Sequence, residues 1–265
     1  MGYKQSARAT RCRQTFLIAT DCFWPLLAGW VLIYLLGVRA LRRPVLDSVV
    51  FRATGDQIMT ERALAPDQNL WDSWTPAELA VRLKSVSLPW CVVGGWALDL
   101  WLGEKTREHE DIELTMLRDD FPKFRHALGD LDMYTAKDGI LTFLPSGQIP
   151  GQDIQQVWCF DPIAQAWRLD MMIESGSPEV WVYKRDGAIR FSRKEMLCLS
   201  SESIPYLRPA AILLFKALRT RAKDEEDFHK ILPTLPDEEV AWLRRHLLKL
   251  HPEHHWITLL ALERL

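Results

Sequence analysis

The order of apolar and polar residues over residues 90–114 predicts a strand, a short helix and a second strand in close succession. Residues 90–93 form an uninterrupted apolar run, which is typical of a buried strand. Residues 96–102 carry apolar side chains at helical spacing and predict a short amphipathic helix. The glycine pair Gly94 and Gly95 separates these two elements, and a basic turn follows the helix.

Asp111 and Glu113 lie on the second predicted strand, where they alternate with Ile112 and Leu114. Side chains two residues apart on a strand point to the same face. The two carboxylates are therefore predicted to share one face, and Ile112 and Leu114 to enter the core. Because two such carboxylates repel each other and lose hydration, the arrangement favours a cation between them. Oxygen ligands of this kind suit Mg²⁺, which keeps its remaining positions for water and phosphate.

The glycine pair indicates a place where phosphate groups approach the backbone. Gly94 and Gly95 lack a Cβ atom, which permits a tight turn and a close approach of backbone N–H groups to phosphate. The following helix directs its amino-terminal N–H groups to the same place. A glycine pair or a D-x-E strand alone is common, but here 15 residues separate Gly95 from Asp111, and the combination is more specific. It predicts a nucleoside triphosphate held by backbone at one end and by metal at the other.

The remaining pattern predicts a β-rich middle section and a helical carboxyl-terminal region. Helices are expected over residues 76–86, where Thr75 begins a capping box, and over residues 119–128. Strands are predicted at residues 133–136, 140–144, 154–160, 167–173, 180–184 and 188–191, with Asp-Gly hairpin turns. From Arg208 onward the pattern is helical.

One acidic residue, Asp170, interrupts the apolar strand predicted at residues 167–173. A carboxylate inside an apolar strand is costly unless it has a partner. Asp170 is therefore either a solvated residue at an edge, beside Arg168, or a third acid close to Asp111 and Glu113.

Residues 94–114, GGWALDLWLGEKTREHEDIEL, resemble the signature of the aminoglycoside and lincosamide nucleotidyltransferases, a branch of the DNA polymerase β-like nucleotidyltransferase superfamily. LLFKA at residues 213–217 and the R-x-K-D-E-x-D-F segment at residues 221–228 extend the similarity. The resemblance implies an α+β fold: a nucleotidyltransferase-like mixed β-sheet backed by helices, with a helical carboxyl-terminal region. It also implies two Mg²⁺ ions and transfer of a nucleoside monophosphate from ATP or another triphosphate to a hydroxyl. One departure is Pro209-Ala210, where family members commonly carry Pro-Glu.

The resemblance implies roles for individual residues. Asp111, Glu113 and Asp170 are expected to be the catalytic and metal-binding acids, with Asp170 as third acid and general base. The residues expected to bind nucleotide are Gly94, Gly95, Arg107 and Lys216. Lys216 would neutralise triphosphate charge, although a lysine on an amphipathic helix is more often simply solvated.

Three segments are predicted along the chain: a basic extension at residues 1–58, a nucleotidyltransferase-like α/β domain at residues 59–205 and a helical region at residues 206–265. The extension contains 17 uncharged residues, 22–38, a length at the lower limit for crossing a bilayer. Two interpretations remain open. Residues 22–38 are a membrane anchor, or translation begins at Met59 and residues 1–58 come from an over-extended reading frame.

Charge and cysteine content restrict the partners and the compartment. Residues 1–58 carry a net charge of +5 and the rest of the chain −7. An acidic main body argues against a nucleic-acid partner and suits a cationic small molecule. The five cysteines are scattered without a C-x-x-C pair, which argues against a disulfide framework or a zinc site. A cytoplasmic location is expected, with membrane anchoring by residues 22–38 and a cytoplasmic catalytic domain as the alternative.

The predicted function is Mg²⁺-dependent transfer of a nucleoside monophosphate, AMP from ATP, to a hydroxyl of a small molecule. The resemblance favours an aminoglycoside or lincosamide antibiotic as acceptor, and an unknown natural substrate is the other possibility. The alternative function is a non-catalytic binding or regulatory protein of the same fold, comparable to antitoxin-like members of the superfamily. Retention of all three acids and the glycine pair argues against that alternative.

Overall fold

The computed structural model describes residues 65–262 and contains a mixed eight-stranded sheet. The strands are β1 (Trp90–Val93), β2 (Glu113–Leu117), β3 (Asp132–Lys137), β4 (Ile140–Phe143), β5 (Gln156–Asp161), β6 (Ala166–Glu174), β7 (Val180–Val182), β8 (Arg190–Ser192), β9 (Leu197–Leu199) and β10 (Pro205–Leu207). The large sheet has the order β4-β3-β5-β6-β2-β1-β10-β9, and β7 pairs separately with β8. In the large sheet β1 is parallel to β10 and β2 to β6, whereas the other neighbouring pairs are antiparallel.

Helices pack against this sheet and dominate the carboxyl-terminal region. They are α1 (Pro76–Arg82), α2 (Gly94–Leu102), α3 (Phe121–Ala127), α4 (Arg193–Met196), α5 (Pro209–Lys216), α6 (Ala222–Ile231), α7 (Asp237–Leu250) and α8 (Trp256–Leu262). Buried side chains from β1, β2 and β6 form one core cluster with those of α2, α5 and α7. The predicted fold class, a mixed sheet backed by helices with a helical end, is confirmed.

Two element boundaries near the predicted site differ from the expectation. Helix α2 begins at Gly94 rather than at residue 96, so the glycine pair forms its first turn. Strand β2 begins at Glu113, so Asp111 lies two residues before the strand and not on it. The alternation nevertheless extends back to Asp111, because Ile112 is completely buried between two partly exposed carboxylates. Both acids therefore lie on the face opposite to the core.

Helix α5, which lines the site described below, is fixed at its start by Glu239 from α7. The Glu239 carboxylate accepts a hydrogen bond of 3.1 Å from the backbone N–H of Ala210 and forms an ion pair with Arg208. The first N–H groups of a helix have no partner within the helix, so this buried carboxylate satisfies one of them. Ala210 thus contributes a backbone contact at the position where the related sequences carry glutamate.

Glu239→Ala is expected to lower the free energy of unfolding by about 3 kcal/mol, because it leaves the Arg208 charge enclosed without its partner. The neighbouring Glu238 is exposed, and Glu238→Ala is expected to change stability by about 0.5 kcal/mol or less. Urea denaturation of both variants measures the difference. Equal, small losses would contradict the anchoring role of Glu239.

Within residues 65–262 no helix is both long and apolar enough to cross a membrane. The apolar segment at residues 22–38, Met59 and the whole predicted extension at residues 1–58 lie outside the described residues. The predicted boundary between residues 205 and 206 falls inside β10, which pairs with both β1 and β9.

Candidate active site

Glu113 and Asp170 lie side by side on neighbouring parallel strands. They are direct register partners in the β2–β6 pairing, and the Asp170 N–H donates to the Ile112 carbonyl at 2.9 Å. Neighbouring strands are separated by about 4.8 Å, so the two side chains leave the same face of the sheet as close neighbours. Asp111 precedes Glu113 by two residues and lies on the same side of buried Ile112. The structure thus brings together the three acids that the sequence singled out.

Asp170 is held by a residue that the sequence pattern did not identify. Its carboxylate is 3% exposed, and the Gln156 side-chain amide on β5 donates a hydrogen bond to Oδ2. The other oxygen, Oδ1, is buried and has no hydrogen-bond partner. A buried carboxylate oxygen without a partner is costly, so this atom is suited to a cation or to a donor on a ligand.

Burial of Glu113 and Asp170 raises the pKa values of both carboxyl groups. Burial, together with the negative charge of Asp111, raises the pKa of Glu113 to about 7. Burial and the neighbouring Glu113 also raise the pKa of Asp170 well above its ordinary value, against the opposing effect of the Gln156 hydrogen bond. Both shifts express first the cost of ionising a buried carboxylate and then the repulsion from neighbouring negative charge, and a bound cation would offset both.

The carboxylates present fit Mg²⁺ in an open site, held by one or two of them, rather than in a closed ligand shell. In the described part of the chain no three His, Cys, Asp or Glu side chains are arranged closely enough to enclose a metal ion. Mg²⁺ typically takes one or two carboxylates and leaves its other positions to water and phosphate. The unsatisfied Asp170 oxygen and the perturbed Glu113 are the observations that match this chemistry.

The two glycines make room for functional side chains. A Cβ atom on Gly94, whose φ is +68°, would lie 1.9 Å from Oε2 of Glu113. A Cβ atom on Gly95 would lie 2.4 Å from the Arg107 guanidinium and 2.6 Å from the His109 ring. Any larger residue at either position would displace these groups. The expected backbone contact with phosphate stays a prediction, whereas close packing beside Glu113 is the role that the structure displays.

The basic turn after α2 folds back over Gly95 and is fixed by buried acids. Arg107 donates two hydrogen bonds of 3.0 Å to the Asp227 carboxylate on α6. The Arg107 guanidinium also donates to Nδ1 of His109, which leaves Nε2 of His109 to donate to Asp99 at 2.6 Å. The Trp96 ring stacks on His109. This turn leads directly into Asp111, so these contacts fix the position from which Asp111 approaches Glu113.

Lys216, at the end of α5, belongs to the same buried network. Its ammonium lies 2.7 Å from Asp224 and 3.0 Å from Asp227, and its side chain is 8% exposed. Burial alone would raise the pKa of Asp224, but hydrogen bonds from Arg221 and Lys216 hold it well below the ordinary value. Residues 224–227 are four consecutive acids, a pattern typical of a solvated face. Asp224 and Asp227 are instead buried and paired.

A cavity of about 460 Å³ opens beside the acids, between the sheet and the segment that follows β7. Among the predicted site residues, Gly94, Glu113 and Lys216 line it. Gly95, Arg107, Asp111 and Asp170 are not among the residues that line it. Arg107 is paired with Asp227, and its expected contact with nucleotide stays a prediction.

Lys184 lines the cavity and was also missed at the sequence level. Burial by the cavity wall, with the nearby charge of Arg185, lowers its pKa, and the charges of Glu113 and Asp170 act in the opposite direction. No hydrogen bond or salt bridge joins Lys184 to any other described residue. The apolar strand predicted at residues 180–184 gave no signal that its last residue would turn toward the acids.

Glu113→Gln is expected to stabilise the metal-free protein at pH 8 by roughly 3 kcal/mol, since a pKa change of one corresponds to about 1.4 kcal/mol. The folded-state pKa of about 7 lies above the ordinary 4.5, so ionisation disfavours the fold increasingly as pH rises between these values. The gain should nearly vanish at pH 5. Thermal unfolding at both pH values measures it, with exposed Glu238→Gln as the matched control, and a pH-independent gain would contradict the assignment.

A family model described as aminoglycoside-2''-adenylyltransferase matches residues 77–141. This range includes the glycine pair, the basic turn, Asp111 and Glu113, and the match confirms the family resemblance stated for residues 94–114. It indicates a nucleotidyltransferase enzyme. Comparison with curated proteins gives no match.

Several solved structures are similar to this chain at low sequence identity. The lincosamide antibiotic adenylyltransferase LnuA with lincomycin bound is 15% identical, covering 58% of this chain and 91% of its own, with a TM-score of 0.42. ANT(2")-Ia in complex with adenylyl-2"-tobramycin is 17% identical, covering 65% and 94%, with a TM-score of 0.45. An antigenic nucleotidyltransferase-like protein from Paracoccidioides brasiliensis is 14% identical, covering 68% and 87%, with a TM-score of 0.38.

Proposed function

We propose that this chain is a Mg²⁺-dependent nucleotidyltransferase that transfers AMP from ATP to a hydroxyl of a small molecule. The observation that carries the proposal is the pairing of Glu113 with Asp170 at a cavity whose wall also presents basic side chains. Two adjacent carboxylates with raised pKa values are an unstable arrangement by themselves. A metal–triphosphate complex would compensate for that instability.

In this proposal Asp111 and Glu113 hold Mg²⁺, with Asp170 beside them. The metal would supply positive charge to the reacting phosphate oxygens. Lys184 provides positive charge from the protein along the triphosphate, Lys216 lines the same wall while paired with Asp224 and Asp227, and Gly94 leaves room for the Glu113 carboxylate. The buried ion pairs of Lys216 fix its direction, so its ammonium is already ordered before nucleotide arrives.

Asp170 acts as the general base on the acceptor. It takes the proton of the acceptor hydroxyl while the hydroxyl oxygen forms a bond to the α-phosphorus. The bond from that phosphorus to the β-phosphate oxygen breaks, and pyrophosphate leaves. Its position suits Asp170 to this task, because its carboxylate lies beside Glu113 and its Oδ1 atom has no hydrogen-bond partner among the described residues.

We propose an antibiotic hydroxyl as the acceptor, following the description of the matched family. We place the reaction in the cytoplasm. Cys91 and Cys159 are free and buried, and free Cys198 is partly buried, as is usual in a reducing compartment.

Asp111→Asn should reduce Mg²⁺-dependent pyrophosphate release roughly a thousandfold, because a lost metal ligand removes several kcal/mol of charge stabilisation. Far-UV circular dichroism and the unfolding midpoint should stay close to those of the wild type. Asp119→Asn replaces an exposed aspartate shortly after β2 and serves as the control. Wild-type rates in Asp111→Asn would refute the metal assignment. Absence of release from the wild type with every acceptor would favour the non-catalytic, antitoxin-like alternative.

Asp170→Asn tests the base separately from the metal. The turnover number is expected to fall about 10²- to 10⁴-fold. The Mg²⁺ concentration for half-maximal nucleotide binding should change less than about threefold, because one ligand-like oxygen remains and Asp111 and Glu113 are intact. Asp138→Asn, in the exposed turn between β3 and β4, is the control. A large shift in the Mg²⁺ midpoint would assign Asp170 to the metal instead.

A further inference from the structure

A second acidic side chain lies on the cavity wall at some distance from the proposed reaction centre. Glu174 follows Asp170 by four residues on β6, so both side chains leave the same face of the sheet. Their Cα atoms are roughly 13 Å apart at the rise of an extended strand. Met172 lies between them on that face, and Met172 and Glu174 line the same cavity as Glu113. The cavity therefore extends along the sheet from the reaction centre to Glu174.

Glu174 has hydrogen-bonding capacity that the described residues leave unused. Its side chain is 6% exposed, and both carboxylate oxygens are buried without a hydrogen-bond partner among residues 65–262. An ionised carboxylate offers about four acceptor positions. Because buried acceptors without partners are costly, a donor supplied by a ligand in the cavity would stabilise this side chain.

Arg193 on α4 balances the charge of Glu174 but does not satisfy these oxygens. Its Nη2 atom lies 2.5 Å from Oε1 of Glu174, in a direction that does not form a hydrogen bond. The same guanidinium donates instead to the Ser177 carbonyl, from Nε at 3.2 Å and from Nη2 at 2.8 Å. Glu174 thus has a compensating charge nearby, and the contact that it lacks is an N–H or O–H group.

We infer that Glu174 determines acceptor specificity by accepting a hydrogen bond from an N–H or O–H group of the acceptor. The acceptor presents its reacting hydroxyl at Asp170 and a second donor group at Glu174. A single sugar ring is shorter than this interval, so the substrate class is an elongated hydroxyl compound with an amine or hydroxyl at its remote end. The inference rests on the proposed function, because it takes the ligand of the cavity to be the acceptor.

Glu174→Gln tests this contact, because it removes the charge and keeps one acceptor oxygen at nearly the same place. Tobramycin, which carries several amines and hydroxyls, and its fully N-acetylated form are the probes. Each is titrated by calorimetry into the full-length chain loaded with Mg²⁺ and a non-hydrolysable ATP analogue. The dissociation constant is expected to rise roughly tenfold in the variant. A larger rise for tobramycin assigns an amine to Glu174, and equal rises for both probes assign an uncharged donor.

Glu202→Gln makes the same change in charge at an exposed position between β9 and β10, outside the cavity wall. This control should leave both dissociation constants within about twofold of the wild type. Glu174→Asp keeps the charge opposite Arg193 but withdraws the carboxylate by one methylene group. It should also weaken probe binding several-fold, and it provides the same test if Glu174→Gln does not fold.

The affinity for the ATP analogue alone separates acceptor binding from a general structural role. It should change less than about twofold in Glu174→Gln, because Glu174 lies far along the sheet from the acids. Three outcomes would overturn the inference: probe binding no weaker than in the control, equal weakening of the ATP analogue, or no binding of either probe to the wild type. Mg²⁺-dependent pyrophosphate release by the wild type reports on the proposed function separately, since release with unchanged probe affinity in Glu174→Gln would refute the inference alone.

Discussion

The parallel pairing of β2 with β6 is the constraint on which the site depends. It places Glu113 directly beside Asp170, and hydrophobic burial of Ile112, Leu114, Leu169 and Met171 on the opposite face fixes that register. A slip of one residue would turn these apolar side chains out of the core. The energy that holds two repelling carboxylates together therefore comes from the core and not from the site. A folded protein can maintain this arrangement before any ligand is bound.

The surrounding ion pairs divide the basic residues into two groups. Arg107 is paired with Asp227, and Lys216 is paired with Asp224 and Asp227. Together with the contact between His109 and Asp99, these pairs connect α2, the basic turn, α5 and α6. Such buried ion pairs fix the orientation of their side chains more dependably than they stabilise the fold, because the cost of desolvation offsets much of the attraction between the charges. Within residues 65–262 neither Lys184 nor Arg219 has a salt-bridge partner, and both line the cavity. Lysine and arginine therefore hold elements together at Lys216 and Arg107, and they present charge to a ligand at Lys184 and Arg219.

The sequence allowed prediction of the local pattern but not of the contacts between distant elements. Alternation around Ile112 correctly placed Asp111 and Glu113 on one side, and a single acid within an apolar run identified Asp170 as unusual. Gln156 and Lys184 were not predicted as site residues. Gln156 reaches Asp170 only through the pairing of β5 with β6, and Lys184 reaches the acids only because the chain changes direction after β7. The acidic run at residues 224–227 is typical of a solvated face, and nothing in the local pattern indicates that Asp227 pairs with Arg107, which lies 120 residues earlier in the chain. The glycine pair stood out in the sequence, and its contact with phosphate stays a prediction, but the pattern did not indicate that Glu113, Arg107 and His109 occupy the space beside it.

The net charge of the chain does not by itself identify the ligand. The negative total outside residues 1–58 favours approach of cations, and this was the basis for expecting a cationic substrate. Interactions inside a cavity depend instead on the few groups that face it and on whether those groups already have partners. On the wall of this cavity Asp224 is paired with Lys216 and Arg221, whereas both carboxylate oxygens of Glu174 are buried without a hydrogen-bond partner among the described residues. The long-range field therefore guides approach, and the contacts inside the cavity decide which molecule is bound at the site.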